Sequence, residues 1–154
     1  MRGDGDGWVT CGQGHRHWGR HGAAGLLLWY VDEDGTRWIL LQHRADWSHH
    51  GGTWGLPGGA RDSHEGAEET ALRESAEEVA LDLSRVQVCS SDRDDHGGWS
   101  YVTVTGSCPD RLEARPTGAE SSDVRWVPEA QVASLPLHPG LAASWPRLQG
   151  LAGR

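Results

Sequence analysis

The chain has 154 residues, a length that suits one domain with its own hydrophobic core. Its formal net charge of −8 at pH 7 argues against a nucleic-acid partner, because proteins that bind nucleic acids carry basic surfaces. The sequence contains no apolar run of membrane-spanning length and no apolar signal-peptide core near its start, so we expect a cytoplasmic protein without a membrane partner.

Residues 1–21 are expected to form a partly disordered N-terminal segment, because residues 1–7 are mostly glycine and aspartate. Residues 22–154 are expected to form a single domain. The N-terminal segment carries residues of the types that bind zinc, namely Cys11, His15, His17 and His21. They lack the paired spacing of structural zinc sites, and solvent-exposed histidines leading into the first strand are the favoured interpretation.

Strands and helices alternate along the predicted domain. The almost continuous apolar run over residues 23–31 is typical of a strand buried on both faces. A hairpin turn over residues 32–35 leads into a second strand over residues 37–43. Further strands are predicted over residues 86–90, 99–107 and 123–127. Two helices are predicted after them, over residues 128–133 and 141–149. This mixture predicts an α/β fold in which helices cover both faces of a sheet.

A longer helix is predicted between the strand over residues 37–43 and the strand over residues 86–90. Asp62, with Glu65 three positions later, resembles a capping box at the start of the helix. At about 100° per residue, Leu72, Ala76 and Val79 gather on one side of the helix. We expect this apolar side to pack on the sheet.

Three carboxylates occupy the other side of the same helix. Glu74, Glu77 and Glu78 are spaced i, i+3 and i+4, which places them on one helical face. Like charges this close need a counter-charge, and hard cations such as Mg²⁺ or Mn²⁺ prefer oxygen ligands. Arg73 can pair with Glu69 or Glu77 and hold the orientation of Glu77.

These residues belong to a longer pattern, Gly59-x5-Glu65-x7-Arg73-Glu74-x2-Glu77-Glu78-x2-Leu81, preceded by Trp54-Gly-Leu-Pro-Gly-Gly59. The pattern resembles the Nudix box, the loop-helix-loop signature of Nudix hydrolases. The resemblance covers roughly residues 22–136 and implies a Nudix-type α/β/α sandwich with a mixed β-sheet. Ser75 and Ala80 depart from the family pattern, which has a small or aliphatic apolar residue and a glycine there. A left-handed alanine at the helix end costs about 1 kcal/mol, unless the chain leaves the helix differently.

The resemblance also implies a reaction and a set of residues for it. The reaction is hydrolysis of a nucleoside diphosphate linked to another group X, by attack of metal-activated water on phosphorus. The implied catalytic residues are Arg73, Glu74 and Glu77. The implied metal ligands are the carbonyl of Gly58 and the carboxylates of Glu74, Glu77 and Glu78, with Glu77 acting either as a ligand or as a water-positioning base.

Four residues outside the box are further candidates. Glu120 matches the place of one more metal-binding glutamate, and an exposed loop carboxylate is the equally weighted alternative. Arg44 stands where the resemblance implies a phosphate-contacting arginine, although a solvated arginine at the end of a strand is the commoner interpretation. Trp99 and Tyr101 are candidates for stacking on a base, although core or rim packing in a strand is the favoured interpretation.

These patterns favour a metal-dependent pyrophosphohydrolase that acts on a nucleoside triphosphate or a similar small nucleotide, with Mg²⁺ or Mn²⁺ as the cofactor. The alternative is a non-catalytic nucleotide-binding sensor module with the same fold. A sensor need not retain Glu77 or Arg73, which favours the enzyme. The sequence identifies neither the individual substrate nor the oligomeric state.

Overall fold

The computed structural model describes residues 3–48 and 50–151. Within these ranges the elements, in chain order, are β1 (Trp8–Thr10), β2 (Arg16–Trp18), β3 (Ala23–Val31), β4 (Arg37–Arg44), β5 (Trp54–Gly55), β6 (Gly58–Ala60), α1 (Ala67–Val79), β7 (Gln87–Asp95), β8 (Ser100–Ser107), β9 (Ser121–Pro128), α2 (Glu129–Val132) and α3 (Pro139–Leu151). The predicted strand over residues 23–31 is confirmed at both ends, and the other predicted strands and helices are each present with shifted ends.

Strand β3 is central in a mixed sheet. It pairs in parallel with β8 along most of its length. On its other side it pairs antiparallel with β4 near its C-terminal end and with β6 near its N-terminal end. β4 in turn pairs antiparallel with β5 and with β9. On the other side of the sheet, β7 pairs antiparallel with β8. The predicted mixed β-sheet is therefore confirmed.

Alternate residues of β3 contribute to two hydrophobic cores, one on each face of the sheet. Leu26 and Leu28 pack in the same core as Ala71 and Val79 of α1. Leu27 and its neighbours on the opposite face pack with residues of α2 and α3. This alternation follows from the two-residue period of a strand. Helices on both faces confirm the predicted α/β/α sandwich.

Helix α1 begins at Ala67, later than the predicted start at Asp62. The Asp62 backbone N–H donates to Glu65 Oε1 at 3.1 Å, as a capping box would require. The Asp62 carboxylate, however, accepts a hydrogen bond at 3.0 Å from the backbone N–H of Gly5, which lies far away in the sequence. Asp62 therefore stabilises a loop rather than the first turn of the helix, and the N-cap residue is Gly66.

The buried side of α1 also differs from the predicted apolar side. Ala71, Ser75 and Val79 are buried, whereas Leu72 and Ala76 are half-buried. Ser75 tolerates this position because its hydroxyl donates to the Ala71 carbonyl at 2.7 Å, which satisfies a polar group that would otherwise be costly to bury. The projection considered only apolar residues, so it did not predict a buried side that includes Ser75, whose hydroxyl is hydrogen-bonded within the helix.

Within the N-terminal segment, residues 3–21 contain the antiparallel hairpin β1–β2. The rings of Trp8 and Trp18 lie opposite each other on the hairpin, with centroids 5.3 Å apart. The Asp4 carboxylate accepts a 2.8 Å hydrogen bond from the backbone N–H of Ser63, which attaches the segment to the loop before α1. The cross-strand aromatic pair stabilises the hairpin, and the contact with Ser63 holds the segment against the domain.

Two further features of the described residues concern the cysteines and the helices. Cys11, Cys89 and Cys108 are free thiols. Among the helices within residues 3–48 and 50–151, none is long and apolar enough to cross a membrane.

Candidate active site on helix α1

The end of α1 is determined by Ala80 and by a loop that contacts it. Ala80 has a left-handed backbone conformation, with φ 56° and ψ 38°. The chain therefore leaves the helix as it would at a glycine, with the strain that alanine has in this conformation. The last helical carbonyls accept hydrogen bonds from loop residues. The Arg115 N–H donates to Val79 O at 3.0 Å, and the Thr117 N–H donates to Glu78 O at 3.1 Å. These contacts satisfy carbonyls that a helix end leaves unpaired.

The glycines before α1 provide space for the carboxylates that α1 carries. A Cβ atom added at Gly59 would lie 2.5 Å from the carboxylate carbon of Glu74. A Cβ added at Gly58 would lie 2.3 Å from the carbonyl oxygen of Ala24 in β3. The two glycines therefore allow strand β6 to pair with β3 and the Glu74 carboxylate to rest on the β6 backbone.

Glu78 is the most strongly perturbed carboxylate of the box. Its pKa is raised to about 8, chiefly by burial and in addition by the negative charge of Glu74. The backbone N–H of Gly58, 3.3 Å from Glu78 Oε2, opposes this effect, as do a hydrogen bond from Gln42 and the positive charge of Arg44. These contacts only partly offset the cost of burying the charge.

Glu74 lies beside Glu78 and shares its environment. Burial raises the pKa of Glu74, and the Arg73 guanidinium, whose Nη1 donates to Glu74 Oε1 at 3.0 Å, opposes the shift. Glu77 adds a smaller upward effect. Two neighbouring carboxylates are thus held in positions where their ionised forms lack enough positive charge.

Arg73 pairs chiefly with Glu65, which the sequence analysis did not consider as a partner. Its Nε donates to Glu65 Oε2 at 2.7 Å, and its Nη2 donates to Glu65 Oε1 at 2.8 Å. The contact with Glu77 is longer, at 3.4 Å, and the Glu69 carboxylate instead accepts from the N–H of Gly66 at 3.2 Å. Of the two partners predicted for Arg73, Glu77 is the one in contact, because Glu69 caps the helix start.

Glu77 and Glu120 are more exposed than Glu74 and Glu78, which are half-buried. The Glu77 side chain is 57% exposed. In the part of the chain that the structure describes, Glu74, Glu77 and Glu78 do not bring one oxygen each within 4.8 Å of one another. Glu120 is also exposed, and its carbonyl accepts a hydrogen bond from the Ala45 N–H at 2.9 Å. Its roles as a ligand and as a loop carboxylate both stay open.

The three predicted substrate contacts fall into two groups. Arg44 and Tyr101 lie near the buried glutamates, since the charges of Glu78 and Arg44 both act on the Tyr101 hydroxyl and burial raises the pKa of this hydroxyl. A Cβ at Gly25 would lie 2.0 Å from Tyr101 Oη, so Tyr101 lies across β3. Trp99 stacks instead on His17, with ring centroids 3.9 Å apart and an interplanar angle of 7°.

The family model of the NUDIX domain matches residues 19–148. This chain belongs to the Nudix family. It is 55% identical over 97% of its length to a Mycobacterium tuberculosis protein with the provisional name 8-oxo-dGTP diphosphatase 3, of which it covers 71%. It is 42% identical over 93% of its length to a Bifidobacterium longum nucleoside triphosphate pyrophosphatase/Nudix hydrolase fusion protein, of which it covers 30%.

Among solved structures, the chain is similar to a Nudix hydrolase from M. smegmatis, RenU. The TM-score is 0.88 and the sequence identity is 50%, with 96% of this chain and 94% of the other covered. Together with the relatives, this similarity makes the protein a Nudix pyrophosphohydrolase, an enzyme of a family that acts on small nucleotides. The enzyme, rather than the sensor module, is the interpretation that the comparisons support.

Nudix hydrolases generally use divalent metal ions, and the donor set of this chain fits one. Glu74 and Glu78 offer hard oxygen ligands and are short of positive charge. Gln42, which the sequence analysis missed, hydrogen-bonds to Glu78 and leaves its Oε1 atom buried with no partner in the described residues. No local sequence signal marked Gln42, because its role depends on β4 passing beside α1.

Proposed function

We propose that this Nudix hydrolase is a Mg²⁺- or Mn²⁺-dependent pyrophosphohydrolase of nucleoside triphosphates, with 8-oxo-dGTP as the first substrate to test. The observation that carries the proposal is the half-buried pair Glu74 and Glu78, whose pKa values are both raised. A divalent cation supplies the missing positive charge, neutralises substrate phosphates and lowers the pKa of bound water.

The residues of the chain divide the work around this pair. Glu74, Glu78 and the carbonyl of Gly58 would hold the cation, because they provide oxygen donors on two adjoining elements. Glu77 extends into solvent beside them, where it can act as a further ligand or orient water as a base. Arg73 restrains Glu74 through the 3.0 Å contact and is itself restrained by Glu65.

The substrate would approach from the side that Arg44 and Tyr101 border. Arg44 carries a positive charge that acts on Glu78, so it is close enough to the site to contact a phosphate. Glu120 lies in the loop whose backbone meets Ala45, next to Arg44, which makes it a candidate additional ligand. A net charge of −8 would repel a nucleotide unless cations and such arginines compensated locally.

The choice of a triphosphate rests on the relatives. The M. tuberculosis protein bears the name of an 8-oxo-dGTP diphosphatase, and the B. longum protein bears that of a nucleoside triphosphate pyrophosphatase fused to a Nudix hydrolase. Both names describe cleavage of a phosphoanhydride in a nucleotide. We therefore expect release of pyrophosphate and a nucleoside monophosphate.

The test is a substrate panel with Mg²⁺ or Mn²⁺ that contains 8-oxo-dGTP, dGTP, the other deoxynucleoside triphosphates and ADP-ribose. Pyrophosphate and phosphate release are measured separately, with chelator-treated protein as the control. The proposal expects pyrophosphate from a triphosphate, faster from 8-oxo-dGTP than from dGTP, and no turnover until the metal is restored. Turnover of ADP-ribose alone would contradict the substrate class, and full activity in chelator would contradict metal dependence.

A further inference from the structure

A second cluster of metal-binding residue types lies in the described part of the chain, formed by residues far apart in sequence. Cys11 and His17 come from the β1–β2 hairpin, and His96 comes from the turn between β7 and β8. One ligand atom from each of the three lies within 4.8 Å of the other two. The favoured interpretation of Cys11 and His17, an exposed loop without a site, did not include His96.

Cys11 is buried, and one ring nitrogen of each half-buried histidine has no partner within the described residues. Cys11 is 5% exposed. His17 Nε2 and His96 Nδ1 are both buried and have no hydrogen-bond partner within the described residues. Leaving a buried polar atom unpaired costs about 1–3 kcal/mol. One metal ion bound by both nitrogens and by the Cys11 thiolate would satisfy both atoms at once.

A carboxylate behind the cluster directs one ring toward it. His96 Nε2 lies 2.9 Å from Asp94 Oδ2. Because the carboxylate accepts, Nε2 carries the proton, and the lone pair of Nδ1 is left available. Metal-binding histidines have the same arrangement, in which a carboxylate accepts from the second ring nitrogen and fixes the tautomer.

The backbone and an aromatic ring hold the remaining parts in place. The Cys11 N–H donates to the His15 carbonyl at 2.9 Å, which closes the hairpin turn. The Gly12 N–H donates to the Gly97 carbonyl at 2.5 Å, which joins the hairpin to the β7–β8 turn. Trp99 stacks on His17 at 3.9 Å and limits rotation of its ring. Ligands from the hairpin and from the turn are therefore held together before any ion binds.

We propose that Cys11, His17 and His96 form a structural Zn²⁺ site that fastens the N-terminal hairpin to the β7–β8 turn. One thiolate and two imidazoles suit zinc, whereas Mg²⁺ and Mn²⁺ prefer the oxygens of Glu74 and Glu78. A water molecule or His15 would be the fourth ligand of a tetrahedral Zn²⁺ ion. The His15 ring lies 6.5 Å from that of His17.

The site acts on the active-site region through the N-terminal segment. Residues ahead of the hairpin bind the loop before α1, where Gly5 donates to Asp62 and Asp4 accepts from Ser63. Asp62 is also 3.7 Å from Arg73, which restrains Glu74. Zinc at the hairpin thus helps to hold the segment that covers the start of this network.

Cobalt substitution tests the proposal without relying on enzyme activity. Metal-free protein is titrated with Co²⁺ in excess Mg²⁺, which occupies the carboxylate site. We expect a thiolate-to-cobalt charge-transfer band that saturates at about one Co²⁺ per chain and disappears when Zn²⁺ is added. Wild-type protein without this band would overturn the proposal.

Three variants assign the band to specific residues. Cys11→Ser should abolish it, and Cys89→Ser, which changes an exposed cysteine on β7, should leave it unchanged. Asp94→Asn retains every proposed ligand and should weaken Zn²⁺ binding by roughly 10- to 100-fold. Asp94→Asn therefore still tests the site if Cys11→Ser fails to fold. A band that persists in folded Cys11→Ser, or one that is lost in Cys89→Ser, would overturn the assignment.

Discussion

The two ends of the Nudix box place the same residue type, glutamate, in opposite electrostatic environments. Glu65, before α1, receives two hydrogen bonds from Arg73 and has a pKa lowered to about 2, mainly by those bonds. Glu78, near the end of α1, has a pKa raised to about 8, mainly by burial. One carboxylate is directly paired with an arginine, whereas the positive charge of Arg44 only partly offsets the burial of the other.

This difference separates the structural role of the box from its chemical role. Arg73 and Glu65 form a compact ion pair with Glu65 almost fully buried and Arg73 partly exposed, an arrangement that fixes the loop against the helix. Glu74 and Glu78 form a pair whose charges repel each other, and a bound cation would relieve that repulsion. The following predictions test whether the two ends can be disrupted separately.

The largest expected effect comes from changing Glu78, whose charge is only partly compensated. Glu78→Gln should lower kcat/KM by roughly 100-fold or more, because it removes a ligand charge from the cation site. The unfolding midpoint of the metal-free protein should stay the same or rise at neutral pH, since a neutral amide replaces a buried carboxylate. Activity assays and urea unfolding on the same preparations measure both effects.

The matched control for this variant is Glu68→Gln on the first turn of α1. Glu68 is exposed and lies ten residues before Glu78, about 15 Å along the helix axis. It should retain activity within about twofold. Equal losses in the two variants would mean that overall helix charge, rather than the Glu78 site, supports turnover.

Disrupting the paired end should instead lower stability. Arg73→Lys loses the two-point contact with Glu65, because an ammonium group cannot reproduce the fork of a guanidinium. We expect the free energy of unfolding to fall by about 2–4 kcal/mol, with the partial exposure of Arg73 favouring the lower value. Equilibrium urea unfolding of the metal-free protein measures this loss.

Arg85→Lys is the control for the arginine substitution. Arg85 also contacts a carboxylate in two places, with Nη2 at 3.1 and 3.2 Å from the oxygens of Asp110, but both side chains are exposed. An exposed pair of this kind contributes less than about 1 kcal/mol. If the two lysine variants lose equal stability, burial does not distinguish the Arg73 pair.

The acid dependence of stability sharpens the same comparison. The folded-state pKa of Glu65 lies below its ordinary value of 4.5, so its contribution to stability is present above about pH 4.5 and is lost as the pH falls toward 2. Glu65→Gln removes the titrating group. The difference in unfolding free energy between wild type and variant should therefore shrink from about pH 6 to about pH 3. A constant difference over this range would contradict the proposed role of the ion pair.

Sequence patterns predicted the long elements well because those elements depend on local composition. The apolar run of β3 has the same ends in the structure as in the prediction, Ala23 and Val31. The box pattern likewise located α1 and its glutamates, although α1 starts at Ala67 because Asp62 is engaged by Gly5.

The missed elements depend on partners that are distant in sequence. Strand β6 contains two glycines and one alanine, a composition that disfavours a strand, and it forms because Gly58 lets β6 approach β3 closely. Gln42 and His96 gained their candidate roles in the same way, from side chains brought close by the fold. Periodicity within a segment carries no information about such neighbours.

The smallest expected effect concerns the exit from α1, just after Glu78. Ala80 holds a left-handed conformation that favours glycine, so Ala80→Gly should raise the free energy of unfolding by about 1 kcal/mol. Ala76→Gly, in the interior of the same helix, should lower it by about 0.5–1 kcal/mol, because glycine is a poor helix former. Opposite signs for one chemical change would show that backbone conformation, rather than side-chain loss, determines the effect. If Ala80→Gly also destabilises the protein, the strain at Ala80 is offset by contacts of its methyl group, and the end of the helix next to Glu78 is better adapted to alanine than the family pattern implies.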